Sequence, residues 1–434
     1  MLLTISNLFP RPDQPQRGLF NAQLFREFAR QLGGSSSAQP LLNLCLVPEW
    51  RAWRWRAIRR WKVEEGLPPT LYCPVFYVPR YGHDRMADTY YRSLRNMHVT
   101  LRGTRAVFAA WLYPDGVAAA RVARDLAVPC WIMVQGSDVF HLQHPRRRQA
   151  LLDMIDDIEG YICVSRPLAD ALIKAGVGPS RVHVVPNGVD HELFKYRTKA
   201  EAVSQLTVNS EQLTVNSTQA NQTEAPGRDT RRLSTVHCSP FTVNSSIPLA
   251  DIVAGRMKLV LFVGNLVPVK GPDVFLKSLA VLKSKVSGPW SIVSAFIGDG
   301  PMRRDLERAA RRWGLGTSVY FLGSRPHNEV ARWMNLADVL CLSSRSEGMP
   351  NVVIEALVSG VPVAVTDVGA CRDLVENEPE ARICLRDDTQ ALARSIRDLA
   401  FSTADRRALA ARHAERFSWA RQAGEILELM GTEP

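Results

Sequence analysis

Glu347 and Glu355 stand eight residues apart in the string Ser346-Glu347-Gly348-Met349-Pro350-Asn351-Val352-Val353-Ile354-Glu355-Ala356-Leu357-Val358-Ser359-Gly360, two carboxylates placed around a helix start. Pro350 suits a first helical position, where a missing N–H costs nothing, and Gly360 suits the left-handed residue past the last turn. Such a start leaves free N–H groups and a partial positive charge facing whatever binds there, so a phosphate is its natural occupant. Glu347 then lies in the loop before the helix and Glu355 one turn inside it. The arrangement offers one carboxylate for sugar hydroxyls, amides for a phosphate and a second carboxylate for ribose hydroxyls. Two glutamates at this spacing alone describe an ordinary solvated helix face. The small-residue stop and the apolar run at 361–366 make the string specific.

Five shorter motifs carry residue types suited to the same work. Gly264-Asn265-Leu266-Val267-Pro268-Val269-Lys270-Gly271 offers glycine for close backbone approach and Lys270 for a pyrophosphate. Gly298 and Gly300 flank Asp299 in a strand-to-helix turn. Gly18, in Arg17-Gly18-Leu19-Phe20, enters a helix and leaves room for a phosphate or sugar, or makes a plain turn. Trp111-Leu112-Tyr113-Pro114-Asp115-Gly116 and Val134-Gln135-Gly136-Ser137-Asp138 each follow an apolar stretch, and Asp138 either points into a cleft or caps the next helix.

The elements that must position these residues alternate along the chain. Strands are expected at 2–6, 42–47, 107–110, 131–134, 161–164 and 182–185, then at 258–263, 292–297, 319–322, 339–342 and 361–366. Helical patterns lie between several of them, as where Phe20, Leu24 and Phe28 share a face. Apolar strands separated by helices imply parallel sheets covered on both sides, one sheet in each half. The expected fold class is therefore α/β, with two doubly wound Rossmann-like domains facing across a cleft. Ligands of such sheets bind beyond the carboxyl ends of the strands, where the motifs sit.

The motifs and their order resemble the retaining nucleotide-sugar glycosyltransferases of family 4, which have the GT-B fold. The string from Glu347 to Glu355 is similar to their E-x7-E signature, and 185–194, with Pro186-Asn187-Gly188, is typical of the same family. This resemblance implies a nucleoside-diphosphate sugar as substrate, no cofactor, no metal, and front-face transfer with retained anomeric configuration. It implies donor contacts from Gly18, Gly264, Asn265, Lys270, Gly298, Gly300, Glu347, Gly348, Met349, Asn351, Val352 and Glu355. Catalytic work falls to Lys270 and Glu347, with Asp138 on the acceptor side. Asn265 departs from the family's usual arginine and removes one expected cation. The implied domains are 1–197 on the acceptor side, 253–415 for the nucleotide sugar, and 416–434 as a helix crossing back to the first. The acceptor is expected to be a glycan or polyprenyl-linked sugar of the envelope.

Composition sets the remaining bounds. The chain has 434 residues, 46% of them hydrophobic, with a formal charge of +11. Residues 1–198 hold 26 Lys and Arg against 17 Asp and Glu, so the basic surface belongs to the first half. Together with Trp50, Trp53 and Trp61 and the arginines among them, read as one helix face with a basic rim, it makes an anionic membrane surface a candidate partner. Nucleic acid is the weaker reading, attached to a non-catalytic binding protein on the same frame. Met1-Leu2-Leu3-Thr4-Ile5-Ser6-Asn7 reads as a first strand and not a signal peptide. No apolar run reaches the roughly 18 residues needed to span a bilayer. Eight cysteines without paired spacing fit a reducing cytoplasm. Residues 198–252, with repeated Leu-Thr-Val-Asn-Ser words, read as a low-complexity, disordered insertion at the linker.

Overall fold

A computed structural model describes residues 1–432 except 16, 34–39, 79–81, 97–100, 102, 205, 207–246 and 286–290. Two all-parallel sheets carry the architecture. The first has seven strands: β1 (Leu2–Ser6), β2 (Leu41–Pro48), β3 (Thr70–Val75), β4 (Ala106–Ala109), β5 (Cys130–Val134), β6 (Gly160–Cys163) and β7 (Val182–Val184), in the order β3-β2-β1-β4-β5-β6-β7. The second has six: β8 (Lys258–Val263), β9 (Ile292–Ile297), β10 (Val319–Gly323), β11 (Val339–Leu342), β12 (Val363–Thr366) and β13 (Ala381–Cys384), in the order β10-β9-β8-β11-β12-β13. In each sheet the order reverses between a central pair, β1 and β4 in one and β8 and β11 in the other. Those reversals open a crevice at the carboxyl ends of the strands.

The strands form where runs of Val, Ile, Leu and Phe can be buried on both faces; β1, β5, β9 and β11 have no residue outside the core. Helix Leu19–Leu32 shows how the covering layer is held. Gly18 begins it in a left-handed conformation, and Ala22, Leu24, Phe25 and Phe28 turn inward. Phe28 meets Phe108 of β4 edge-on with ring centroids 5.3 Å apart. Truncating Phe28 to Ala would cost about 3–5 kcal/mol, the usual range for a buried ring. The last helix, Trp419–Leu429, packs Ala423, Ile426 and Leu427 into the core of the first sheet although it follows the second in sequence.

Three expectations differ from what is seen. β3 and β13 were not expected, and both lie at sheet edges. The segment 50–62 is not one helix: a 3-10 turn at Ala52–Arg54 leads into the short helix Trp55–Ile58, so the tryptophans do not share a helical face. The flanks of 198–252 belong to the second domain. Residues 199–204 are helical, Ala202 is fully buried, and Lys199 lies 2.7 Å from Asp338. Helix Leu249–Val253 buries Ile252 in the same core. The segment expected to be low-complexity lies mostly outside the described residues. Seven of the eight cysteines are described, all of them buried, and burial pushes the Cys73 thiol up to about 12.

Candidate active site

Two loops of the second domain meet at the β8/β11 reversal. After β8, a 3-10 turn at Pro268–Lys270 ends on Gly271, whose φ is +60° and whose position would bring a Cβ to 2.0 Å from the Ser343 carbonyl oxygen. Only glycine lets the turn press against the end of β11 in this way. Arg345 locks the contact from the other side: its Nη1 donates to the Pro268 carbonyl at 2.6 Å, and its two Nη atoms reach Asp273 at 3.0 and 2.8 Å. Lys270 is thereby fixed with its Nζ 2.7 and 2.8 Å from the two oxygens of Glu347. The Ser344 hydroxyl donates to the same carboxylate at 2.6 Å. Glu347 is nearly buried, whereas the Lys270 side chain keeps about a third of its surface, 35%, open.

Helix Asn351–Val358 begins immediately afterwards, with Pro350 as the residue before its first turn and not within it. In its first turn the Val353 amide donates back to the Pro350 carbonyl at 2.9 Å, which leaves the Asn351 and Val352 amides without an intrahelical acceptor at the helix start. Glu355, read from the sequence as a carboxylate open to ribose hydroxyls, is only 9% exposed, and burial raises its carboxyl to about 7. Its one ionisable neighbour within 4 Å among the described residues is His327, Nε2 at 3.7 Å, whose imidazole burial pushes toward the neutral form. Val352 and Met349 are half-buried beside it, and Met349 packs on the cores of both sheets. Asn265 is exposed at the end of β8, and only the Phe262 ring lies within 4 Å of where a Cβ on Gly264 would be.

Several expected contact residues have structural reasons for their identity. A Cβ on Gly298 would lie 2.0 Å from the Gly264 carbonyl oxygen, and one on Gly300 would lie 2.6 Å from that of Leu266. Both glycines therefore let the β8 and β9 loops touch. Gly18 is filled by Leu8, whose carbonyl would be 2.3 Å from a Cβ, so no ligand enters on that side. Gly348 faces the other domain, where a Cβ would stand 2.5 Å from the Cα of Gly136.

Asp138 is corrected most sharply. It is fully buried, and its oxygens accept from the amides of Gly136 at 2.7 Å, Gln135 at 3.1 and 3.2 Å, and Leu112 at 3.4 Å. Burial raises its carboxyl to about 6 while those amides oppose the rise. It shapes the loop that carries Gly136 to Gly348 and does not itself open to the cleft. Asp115 is similarly buried, raised to about 7, and bonded to Asn7 through both backbone and side chain at 2.7 and 3.0 Å.

Side chains also join the domains at the start of helix Asn351–Val358. Asn187 Nδ2 donates to Asn351 Oδ1 at 2.9 Å, and Gln422 of the last helix reaches Asn187 at 3.3 Å and the Gly188 amide at 3.1 Å. Ser344 and Arg345 were missed from the sequence. Their signal was position, since Ser343-Ser344-Arg345-Ser346 leaves the strand at the topological reversal. Among the described residues, no group of three or more His, Cys, Asp or Glu side chains is placed to hold a metal ion.

Comparison with known proteins places this geometry. A model described as Glycosyl transferases group 1 matches residues 257–401, and one described as Glycosyltransferase Family 4 matches 50–193. A D-inositol 3-phosphate glycosyltransferase of Corynebacterium urealyticum is 32% identical over 197 residues, covering 43% of this chain and 45% of the relative. A 2-deoxystreptamine N-acetyl-D-glucosaminyltransferase of Streptomyces fradiae is 35% identical over 147 residues, 34% of each chain. The match thus spans less than half of the length of these curated relatives. Among solved structures, the Anabaena protein HepE in complex with UDP superposes with a TM-score of 0.68 at 16% identity over 99% of both chains. Sucrose-phosphate synthase of Thermosynechococcus elongatus gives 0.66 at 17% identity, over 99% of this chain and 98% of that one. At such identities the agreement is one of fold.

Proposed function

The chain belongs to the group 1 glycosyltransferases of family 4, and on that premise we propose that it moves a sugar from a nucleoside-diphosphate sugar to an acceptor hydroxyl with retention of configuration and without a metal. The observation that carries this reading is the convergence of Lys270, Glu347 and the start of helix Asn351–Val358 at one strand-order reversal, with Glu355 one turn inside that helix. Lys270 and the first-turn amides are placed for the diphosphate, Glu347 for the sugar hydroxyls, and Glu355 for the ribose. As the bond from the anomeric carbon to the diphosphate breaks, the acceptor oxygen bonds that carbon on the same face. Its proton passes to the departing phosphate oxygen. Negative charge growing on the diphosphate is met by groups already in position, which is how an ordered ammonium and helix amides lower a barrier.

The acceptor reading, a glycan or lipid-linked sugar of the envelope, is supported by the basic first domain. Trp50 and Trp53 are 56% and 75% exposed beside exposed Arg56, Arg59 and Arg60, a patch suited to the headgroup level of an anionic bilayer. No helix among the described residues is long and apolar enough to cross a membrane. A panel of nucleotide sugars, followed by nucleoside-diphosphate release and by NMR of the product's anomeric proton, tests the reaction. Turnover of one donor with retained configuration is expected; inversion, or binding of no donor at all, contradicts the reading. Sedimentation with anionic vesicles should fall when Trp50 and Trp53 are replaced by Ser, and unchanged sedimentation removes the membrane attachment.

A further inference from the structure

At the carboxyl ends of β1 and β2 the first domain opens a cavity of about 470 Å³, distinct from the donor residues. Four arginines line it, Arg11, Arg17, Arg51 and Arg54, against two carboxylates, Asp13 and Glu49. Glu49 is taken twice: Arg51 reaches it at 2.8 and 3.0 Å and Arg54 at 2.8 Å. The Arg51 hydrogen bond in particular holds its carboxyl down at about 2, so it stays charged and committed. Asp13 lies 3.2 Å from Arg11 and 4.0 Å from Arg54. Two positive charges are left over. The sharper of them is Arg17, which is half-buried; its Nε donates to the Asn7 carbonyl at 3.0 Å, and among the described residues no carboxylate ion-pairs with it. Burial first, and then the like charge of Arg11, work against its ionised form, and the field of the buried Asp115 offsets them only in part. A half-buried guanidinium beside another one is costly unless an anion joins them.

The cavity also lies along the crevice that leads to the donor. Asn7, Tyr77 and Met86 are shared with a neighbouring hollow that reaches Trp111 and Tyr113 past the end of β4. The Leu112 amide after Trp111 donates to Asp138, in the loop whose Gly136 meets Gly348. Two surplus charges, in the planar fork geometry of arginine, match a phosphate ester better than a single carboxylate.

We propose that this cavity holds the acceptor by a phosphate ester, with Arg17 and Arg54 donating to its oxygens. The inference rests on the glycosyl-transfer reading and names its acceptor class. A soluble phosphorylated polyol and a lipid-linked phosphate present the same group, so the test has an arm for each. The full chain is saturated with whichever of UDP, GDP and ADP binds most tightly, so that the donor site is filled. Calorimetry then follows glycerol 3-phosphate against glycerol, and phosphatidic acid vesicles against phosphatidylcholine vesicles.

Saturable binding of a phosphate probe and not of its neutral counterpart is expected. Arg17→Gln and Arg54→Gln each weaken it about tenfold or more, as loss of a charged hydrogen bond does, while Arg17→Lys retains most of it. Nucleotide affinity stays within about twofold in all three variants. Binding of glycerol 3-phosphate alone assigns a soluble acceptor, and binding of the vesicles alone a lipid-linked one. Failure of both phosphate probes, or wild-type affinity in both Gln variants, overturns the proposal. If no nucleoside diphosphate binds while a phosphate probe still depends on Arg17, the transfer reading falls and the anion cavity stands.

Discussion

Lys270 and Glu347 hold each other in place, so the flexible ammonium is ordered by the fold and need not be ordered by the donor. Glu355 is the opposite case, a carboxyl kept at about 7 by burial, above its ordinary 4.5. A raised folded value means that stability present below about 4.5 is lost as pH rises through about 7, on the order of 3 kcal/mol if the whole shift is counted. Glu355→Gln removes that loss. The variant should melt higher than wild type at pH 8, with a flatter pH dependence, while donor turnover collapses. Thermal melts from pH 5 to 8 check this, and a variant less stable than wild type at pH 8 would show Glu355 to be structural. The glutamate spacing, Lys270 and the helix start could be read as a set because each residue type has one plausible use there. Asp138 could not, because an aspartate two residues after a glycine caps or reacts equally well on paper. Its burial and its three amide partners appear only in three dimensions.

Eleven of the thirteen described strands announce themselves as apolar runs, the edge strands β7 and β10 among them, while the other two edge strands do not. β3 contains Pro74 and follows Pro68 and Pro69, while β13 is four residues long with Arg382 inside it. The segment 50–62 has helical periodicity that tertiary contacts override. Glu49 draws Arg51 and Arg54 toward itself, its carbonyl accepts from Trp55 Nε1 at 3.1 Å, and Trp61 packs edge-on against Tyr72. The turn that bears Lys270 is the element with most at stake for function. Gly271→Ala meets both the positive φ, at about 1–2 kcal/mol, and the Ser343 carbonyl. We expect a lower melting temperature and a larger fall in donor affinity than in Gly314→Ala, where φ is similarly positive at +68° but nothing lies within 4 Å of the added methyl. Equal effects in the two variants would mean that the turn does not position the lysine.

Across the whole molecule, a cluster of contacts between the two domains gathers at the start of helix Asn351–Val358. Met349 packs on both cores, Asn187 links Asn351 to Gln422, and Gly136 rests on Gly348. The sequence carried the two-sheet plan through its alternation, yet these contacts pair residues more than 160 positions apart, and no local pattern reports them. Gly348→Ala pushes a methyl into Gly136 without entering either core. Denaturant stability should change by less than about 1 kcal/mol while turnover drops severalfold, because only the approach of the domains is altered. Unchanged turnover would mean that this contact is incidental to the reaction.

The central claim is that Lys270 stabilises charge on a departing nucleoside diphosphate. Its most direct test is the rate of diphosphate release from the preferred nucleotide sugar by wild type and by Lys270→Ala, with both proteins folded by thermal melt. A loss of about 2–4 kcal/mol of barrier lowering predicts a rate about 30-fold to 1000-fold slower in the variant. A Lys270→Ala rate within about threefold of wild type, which is less than 1 kcal/mol, would contradict the account.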